Sequence, residues 1–172
     1  MNNKPKITRG GQWLLSPAAQ HTIFSRETFT DEHRQIEKMV FDFAEDTILP
    51  QIKDIEELSE DLSRSILLKM GELGLIGVDT PEEYGGTNLD KITACLITEG
   101  VSWGGSASFG CTFGVQTGIG SLGIVFFGTE EQKKKYLPKL MSGKWIAAYG
   151  LTEPVSYTHL RAHETGRNLV CR

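Results

Sequence analysis

A run of glycines is the first stretch of the chain whose residue types and spacing could do chemistry. Gly118 to Gly123 match the GxGxxG pattern with which dinucleotide-binding proteins hold a pyrophosphate. That pattern is informative only after a strand and at the start of a helix, whereas here it lies inside a segment that itself predicts a helix. We therefore reject a nicotinamide site and interpret the glycines by their place on that helix.

Gly110, Gly114 and Gly118 recur every four residues and would share one helical face. Each glycine in a helix interior costs roughly 0.5–1 kcal/mol relative to alanine, so something must benefit from the missing side chains. We expect either a second helix packed closely on this face or a ligand lying along it.

Two histidines near the carboxyl end are the second candidate. His159 and His163 stand four apart beside Glu164, a spacing at which two imidazoles can share a metal ion. The zincin pattern needs a histidine after the glutamate, and none is present. Residues 156–172 contain three arginines and no lysine, and they resemble translated sequencing-adaptor tails. We therefore expect no metal site, and a foreign tail over residues 155–172.

Charged side chains on two predicted helices are further candidates. The apolar side of the third helix is predicted to carry Ile92, Cys95, Leu96, Glu99 and Trp103. A catalytic carboxylate at Glu99 would have a raised pKa there. We favour a structural carboxylate tied to a neighbouring base or to backbone. Lysines near the fifth helix could bind the phosphate groups of a ligand, but a solvated face with cations toward the helix carboxyl end is the better interpretation: Lys133, Lys134, Lys135 and Lys139.

Composition limits the class of protein. The chain has 172 residues, 39% apolar and 23% charged, with a net charge of −4, which argues against a nucleic-acid platform. We find no run of about 18 apolar residues and predict no transmembrane segment. The first ten residues lack the apolar stretch of a signal peptide, and the three cysteines show no CxxC spacing. We predict a cytoplasmic globular protein.

Hydrophobic periodicity predicts five helices, preceded by an arm and followed by a strand. The arm occupies residues 1–29, anchored by Trp13, Leu14 and Leu15. The apolar stripes and cap residues then predict the helices at about 30–49, 59–73, 89–103, 108–127 and 129–142, with Pro50 ending the first and a loop at 75–89. The predicted caps are Thr30 and the Thr129–Gln132 capping box at helix starts, and Gly74 and Gly143 at helix ends. The fourth helix is apolar or small throughout and long enough to be buried. Trp145 to Leu151 predict a strand because aromatic and aliphatic residues predominate.

Four motifs together resemble the acyl-CoA dehydrogenase family over roughly Phe29 to Pro154. They are Gly74-Leu75-Ile76-Gly77 leading into Pro81-Glu82-Glu83-Tyr84-Gly85-Gly86, the small-residue helix ending in Phe127-Gly128, the stretch Gly128 to Pro138, and Tyr149-Gly150-Leu151-Thr152-Glu153-Pro154. Their order and spacing make the resemblance specific. The arm and the glycines of the fourth helix are more similar to the long-chain and very-long-chain members.

The resemblance implies an all-α fold, namely the amino-terminal helical domain of the acyl-CoA dehydrogenase fold plus the first strand of the middle β domain. The expected divisions are an arm at 1–29, the helical domain at 30–143, the strand at 144–154 and a non-native tail at 155–172. Val155 to Thr158 stand where the family has a Gly-Ser-Asp turn against the flavin pyrophosphate. This departure puts diphosphate binding in doubt.

The resemblance also implies a chemistry for the full-length parent. In the family a carboxylate removes the α-proton of an acyl-CoA thioester while hydride passes from the β-carbon to the flavin of FAD. Tyr149, Leu151 and Thr152 would line the flavin ring, although an ordinary strand packed on the helices would also account for Tyr149 and Thr152. No residue matches the motif of the catalytic glutamate, and neither Glu99 nor Glu153 replaces it. We expect the fragment to be inactive alone, and the parent to be a homo-oligomer that passes electrons to an electron-transfer flavoprotein.

The resemblance gives the glycine face a role as well. In this family the acyl chain runs between the region of the fourth and fifth helices and the carboxy-terminal bundle. Small residues at Gly110, Gly114 and Gly118 would leave a longer channel, which predicts a long-chain substrate. The alternatives are an acyl-CoA oxidase or another flavoenzyme of the same fold, and a non-catalytic helical interaction module that docks a partner helix on the glycine face.

Overall fold

The computed structural model describes residues 14–15, 25–59 and 61–150, and the described part of the chain is helical. Short 3-10 turns cover Arg26–Thr28, Leu49–Gln51 and Glu82–Tyr84, and a π-helical turn covers Ala44–Ile48. The α-helices are α1 (Asp31–Phe43), α2 (Ile52–Glu56), α3 (Leu62–Glu72), α4 (Lys91–Trp103), α5 (Ala107–Thr117), α6 (Leu122–Phe127) and α7 (Glu130–Met141). The arm residues Leu14 and Leu15 are exposed, so they do not anchor the arm as predicted, and Trp13 lies outside the described residues.

Helix α1 begins at the predicted Thr30 cap but does not end at Pro50. The Thr30 hydroxyl accepts from the His33 amide at 3.2 Å, and the His33 ring accepts from the Thr30 amide at 3.2 Å. Pro50 lies in the first turn of the 3-10 segment Leu49–Gln51, where its missing N–H costs little. The chain therefore stays helical from α1 through the π-helical turn to α2.

The contact between α1 and α4 forms the centre of the core, and it corrects the predicted face of α4. A Cβ at Gly100 would lie 2.5 Å from a methyl carbon of Val40, so the glycine lets the two helices approach closely. The buried face of α4 comprises Thr93, Leu96, Ile97, Gly100 and Val101. Glu99 and Trp103 were predicted on the apolar side but are exposed, because the glycine and threonine positions, rather than the largest side chains, face α1.

The loop after α3 is held by its own backbone and by α7. Thr87 donates its amide to the Gly77 carbonyl at 2.9 Å, and Leu89 donates to the Val78 carbonyl at 2.9 Å. The buried Tyr84 hydroxyl donates to the Glu130 carboxylate at 2.5 Å. This hydrogen bond, with burial and the charge of Glu130, raises the pKa of Tyr84 to about 12. The predicted loop is thus an ordered connection.

The predicted fourth helix is two helices. A turn at Gly118–Ser121 separates α5 from α6, and its backbone closes with the Gly120 amide on the Val115 carbonyl at 2.9 Å. Ala107–Phe127 is long and apolar enough to cross a membrane by length and composition alone, although we expected no such run. The turn divides this segment, and 22% of its most apolar window is buried, so the prediction of a buried helix is wrong for most of its surface.

The predicted strand does not form within the described residues. Residues 145–150 have no regular secondary structure, and residues 151–172 lie outside the described part. A strand requires a partner strand for its backbone groups, and no described segment supplies one. Residue preferences therefore predicted a strand, but they carry no information about whether a partner strand is available.

Asp90 joins the start of α4 to α1 and should make the fold sensitive to acid. Its carboxylate caps Thr93 at 2.8 Å and contacts the His33 ring nitrogen Nε2 at 2.9 Å. Partial burial raises the pKa of Asp90, but the Thr93 amide, the His33 ring and the Thr93 hydroxyl outweigh it, so the pKa lies below its usual 3.8. A lowered folded-state pKa gives stability that is present above the unfolded pKa and is lost as the pH falls through the folded one.

We expect Asp90→Ala to lower the free energy of unfolding by about 1–2 kcal/mol at neutral pH, because the α4 cap is lost. Asp90→Asn keeps a capping oxygen and should lose less. Urea unfolding followed by circular dichroism measures both. The difference between wild type and Asp90→Asn should shrink below about pH 4, and a difference independent of pH would contradict the role of the ionised carboxylate.

Candidate functional site

The described part of the predicted flavin site ends at Gly150. Tyr149 is 54% exposed, so its ring is accessible to a ligand. A Cβ at Gly150 would meet no described atom within 4 Å. Leu151 and Thr152, which we also predicted to line the flavin, lie outside the described residues. The structure therefore shows an accessible aromatic ring at the end of the segment that leads to the other two residues.

A buried glutamine fixes this segment to the helices. Gln116 on α5 is fully buried, and its amide nitrogen donates to the carbonyls of Leu140 at 2.8 Å and Trp145 at 3.0 Å. Its amide oxygen accepts from the Ala147 backbone N–H at 2.7 Å. The amide group of Gln116 thus donates to Trp145 and accepts from Ala147, two residues further along the same segment. We did not predict this role, although a polar residue among the apolar residues of α5 was the available signal.

Aromatic and basic side chains of α7 hold the start of the same segment. The Trp145 ring packs against the Tyr136 ring with centroids 6.2 Å apart, and the Lys139 ammonium lies 4.2 Å from the Trp145 ring centroid. Lys133 contacts Glu130 at 3.4 Å, and Lys135 lies over the Tyr136 ring at 5.1 Å. Lys134, Lys135 and Lys139 are exposed, as expected for a solvated face, whereas Lys133 is half-buried.

The glycine face is open at two of its three predicted positions. A Cβ at Gly110 or Gly114 would meet no described atom within 4 Å, so no described helix packs closely there. Gly118 lies in the turn after α5, where a Cβ would lie 2.6 Å from the Gly114 carbonyl oxygen. The predicted face of three glycines is therefore corrected to Gly110 and Gly114, because the helix ends before Gly118.

Large apolar side chains are exposed on α6 and on the turn before it. Ile119 is 59% exposed, Phe126 is 61% exposed and Phe127 is 89% exposed. Phe126 and Phe127 pack edge to face with their ring centroids 6.3 Å apart, and exposed apolar surface of this kind marks contacts with other protein segments or with apolar ligands.

An apolar cleft of about 150 Å³ opens between α4, α5 and the loop after α3. Its walls include Ile76, Val78, Ile97, Phe113 and Leu122, with Thr117 and Gly118 at the end of α5. The lining can accept an apolar group. It carries one carboxylate, Asp79, which is paired with Lys91.

The carboxylates that could be confused with a catalytic base have structural partners. Glu99 receives two hydrogen bonds from the Arg26 guanidinium, at 3.2 and 3.3 Å, as expected for a structural carboxylate. Glu56 accepts from the hydroxyls of Ser106 at 2.6 Å and Ser108 at 2.9 Å, and these hydrogen bonds lower its pKa. Glu153 lies outside the described residues. Within the described ranges, no group of three potential metal ligands comes together, and His159 and His163 are not among them.

Comparison with known proteins identifies the family. The sequence profile described as "Acyl-CoA dehydrogenase, N-terminal domain" matches residues 30–144. A Bacillus subtilis protein named "Probable acyl-CoA dehydrogenase" is 53% identical over 150 residues, which are 87% of this chain and 25% of the relative. Isovaleryl-CoA dehydrogenase of Solanum tuberosum is 37% identical over 127 residues, 73% of this chain and 31% of the relative.

Solved structures agree with the sequence matches. An acyl-CoA dehydrogenase complexed with FAD from Bacillus anthracis superposes with a TM-score of 0.73 at 50% identity, covering 77% of this chain and 22% of that one. A structure described as the electron transferring flavoprotein of Acidaminococcus fermentans superposes with a TM-score of 0.63 at 34% identity, covering 77% of this chain and 34% of that one.

These matches confirm the predicted all-α fold of an amino-terminal helical domain. The strand that we predicted after this domain does not form within the described residues. The chain belongs to the acyl-CoA dehydrogenase family. It spans about a quarter to a third of the length of the curated relatives it matches.

Proposed function

We propose that this chain is the amino-terminal part of an FAD-dependent enzyme that dehydrogenates long-chain acyl-CoA thioesters between the α- and β-carbons, in the cytoplasm and as a homo-oligomer. An electron-transfer flavoprotein would be the electron acceptor. The observation that carries the proposal is the 53% identity to an acyl-CoA dehydrogenase over a domain whose last described residues lead into the expected flavin-lining motif. When bound, FAD supplies the two-electron acceptor for the β-hydride.

The described residues fit one edge of a flavin site. Tyr149 offers an exposed aromatic ring, and the missing side chain at Gly150 leaves room beside it. Trp145 and Ala147 are fixed by hydrogen bonds to Gln116, so the backbone that leads to Tyr149 is held by a rigid helix. Leu151 and Thr152 would complete this wall, and the Thr152 hydroxyl would donate a hydrogen bond to the polar edge of the ring.

The catalytic base of the proposed reaction lies beyond this chain. Glu99, Glu56 and Glu130 each accept a hydrogen bond from a structural partner, so none is a good candidate for removing a substrate proton. We therefore propose that the chain by itself neither dehydrogenates acyl-CoA nor retains flavin.

The long-chain preference rests on the open positions of α5. Gly110 and Gly114 leave a strip of helix without side chains, and an acyl chain lying along α5 could extend past both. The apolar cleft lined by Phe113, Thr117 and Gly118 lies at the carboxyl end of the same helix. Several of the relatives are named as isovaleryl-CoA dehydrogenases, which makes chain length the property to measure.

The full-length enzyme that carries this chain provides the test. It should be purified with visible flavin absorbance and reduce an artificial electron acceptor in the presence of palmitoyl-CoA, whereas the 172-residue chain should do neither. Reaction with dioxygen as the main acceptor would favour an acyl-CoA oxidase. A colourless full-length protein would overturn the proposal and leave the helical interaction module.

A further inference from the structure

We infer that Gln116 is a positioning residue for the flavin: its amide group takes the place of a neighbouring strand and fixes the backbone at Trp145 and Ala147, in the segment that leads to Tyr149. The inference rests on the proposed function, because it assigns a role in holding the cofactor.

The geometry of the amide group is that of a strand partner. In a sheet, one residue of a strand donates its N–H and offers its C=O to positions of the neighbouring strand. Gln116 does the same with a side chain, accepting from Ala147 at 2.7 Å and donating to Trp145 at 3.0 Å. A shift of the segment by one residue would break both hydrogen bonds. A shift by two residues would bring equivalent backbone groups to the amide, but it would break the packing of the Trp145 ring against Tyr136 and Lys139. The amide and the Trp145 ring together therefore select one register.

Burial makes this selection strong. Gln116 is fully buried, and its donor and acceptor atoms all have protein partners. An apolar replacement would leave the Leu140 carbonyl, which is buried, and the Trp145 carbonyl and Ala147 N–H, which are partly buried, without that partner. Polar groups without a partner are costly in proportion to their burial. The third hydrogen bond, to Leu140, ties the same amide to the carboxyl end of α7, so α5, α7 and the segment are fixed together.

The position of Gln116 connects this register to the proposed substrate face. Gln116 follows Gly114 by two residues on α5, so the helix that offers the open glycine positions also holds the segment leading to the flavin wall. A displacement of the segment would move Tyr149 relative to α5. We therefore expect Gln116 to set the relation between bound flavin and bound acyl chain.

Two variants separate the positioning role from general stability. Gln116→Leu removes all three hydrogen bonds. Gln116→Glu keeps the shape, but an ionised carboxylate cannot donate and would face two carbonyl oxygens, whereas the protonated acid can donate to one of them and still accept from Ala147. Ile66→Ala is the matched control, because Ile66 is buried in the core on α3 and no hydrogen bond joins it to residues 145–147.

Amide hydrogen exchange of Ala147 in the 172-residue chain is the direct readout. We expect exchange about tenfold faster or more in Gln116→Leu, while the Thr93 amide, bonded to Asp90, keeps its wild-type rate. In Gln116→Glu the Ala147 amide should be protected at mildly acidic pH and exchange faster as the pH rises. In Ile66→Ala the exchange rates of the Ala147 and Thr93 amides should rise by the same factor or stay unchanged.

FAD binding to the full-length enzyme is the functional readout. Gln116→Leu should raise the Kd for FAD about tenfold or more and shift the visible spectrum of the bound flavin. Gln116→Glu should approach wild type only at acidic pH, and Ile66→Ala should keep the wild-type spectrum. Wild-type FAD affinity and spectrum in Gln116→Leu, or pH-independent behaviour of Gln116→Glu, would overturn the inference alone. A wild-type enzyme that binds no FAD would overturn the proposed function, and the inference with it.

Discussion

Gly71→Ala should lower the free energy of unfolding by about 3 kcal/mol or more, because no side chain fits where α3 crosses the end of α7. A Cβ at Gly71 would lie 2.4 Å from both the carbonyl carbon and the carbonyl oxygen of Ser142. Gly143, the next residue, packs on the same face of α3 one turn earlier, with a φ of +70° and a hypothetical Cβ 2.5 Å from the Leu67 carbonyl oxygen. The obstructing atoms are backbone, so the two helices would have to separate to admit a methyl group.

Gly110→Ala and Gly123→Ala are the matched controls for this experiment. A Cβ added at either position would meet no described atom within 4 Å, and both positions lie within helices. Alanine should therefore raise the free energy of unfolding by roughly 0.5–1 kcal/mol at each. Urea unfolding of all three variants measures the contrast, and a Gly71→Ala variant as stable as wild type would show that α3 and α7 do not cross as described.

Gly114→Leu in the full-length enzyme should shift the substrate preference toward shorter acyl chains, with a loss of about tenfold or more in kcat/KM for the longest substrates. Leucine at the open position would fill the strip of α5 along which we propose that the acyl chain lies. Short acyl chains would end before that point and should keep their kcat/KM. The measurement is kcat/KM across a series of saturated acyl-CoA thioesters.

Gly123→Leu controls for the insertion of a leucine at another exposed helix glycine, this time on α6. It should leave the chain-length profile closer to wild type than Gly114→Leu does. If Gly114→Leu left the chain-length profile of kcat/KM unchanged, the acyl chain would not lie along α5 as proposed. The flavin content of the variant must be measured in the same preparation, so that loss of cofactor is not mistaken for altered specificity.

Helix starts could be predicted from the sequence because caps are local. Thr30 and Thr129 each accept from the amide three residues on, as predicted for a cap at Thr30 and a capping box at Thr129, and Gly74 and Gly143 follow helices with positive φ. These features depend on a few neighbouring residues. The family resemblance came from the same stretches, since turn and cap residues form much of each motif.

The buried face of α4 could not be predicted in the same way. Hydrophobic periodicity gave weight to Cys95 and Trp103, which are exposed, and none to Thr93 and Gly100, which are buried against the core. A glycine at a helix contact contributes by its lack of a side chain, which a hydrophobicity pattern does not record. Only the position of Val40 on α1 reveals why Gly100 lies at the contact.

The glycines illustrate the same limit for the candidate site. Their spacing in α5 allowed either close packing or a ligand face, and the structure leaves Gly110 and Gly114 open while close packing occurs at Gly71 and Gly100. Whether the residues after Trp145 form a strand could not be predicted from the sequence, because a strand depends on a neighbouring strand for its hydrogen bonds. Gln116 on α5 instead makes two hydrogen bonds to this segment. The residue type of Gln116 does not show which distant backbone groups it will contact.

The pair of phenylalanines that ends α6 has a practical consequence for anyone expressing the 172-residue chain. Phe126 and Phe127 stack edge-to-face with each other, and both rings are mostly in contact with water. Rings placed this way adhere to one another when molecules collide. Samples should therefore show scattering that increases with concentration, and replacing Phe127 by serine should make the chain easier to concentrate without altering its helical content.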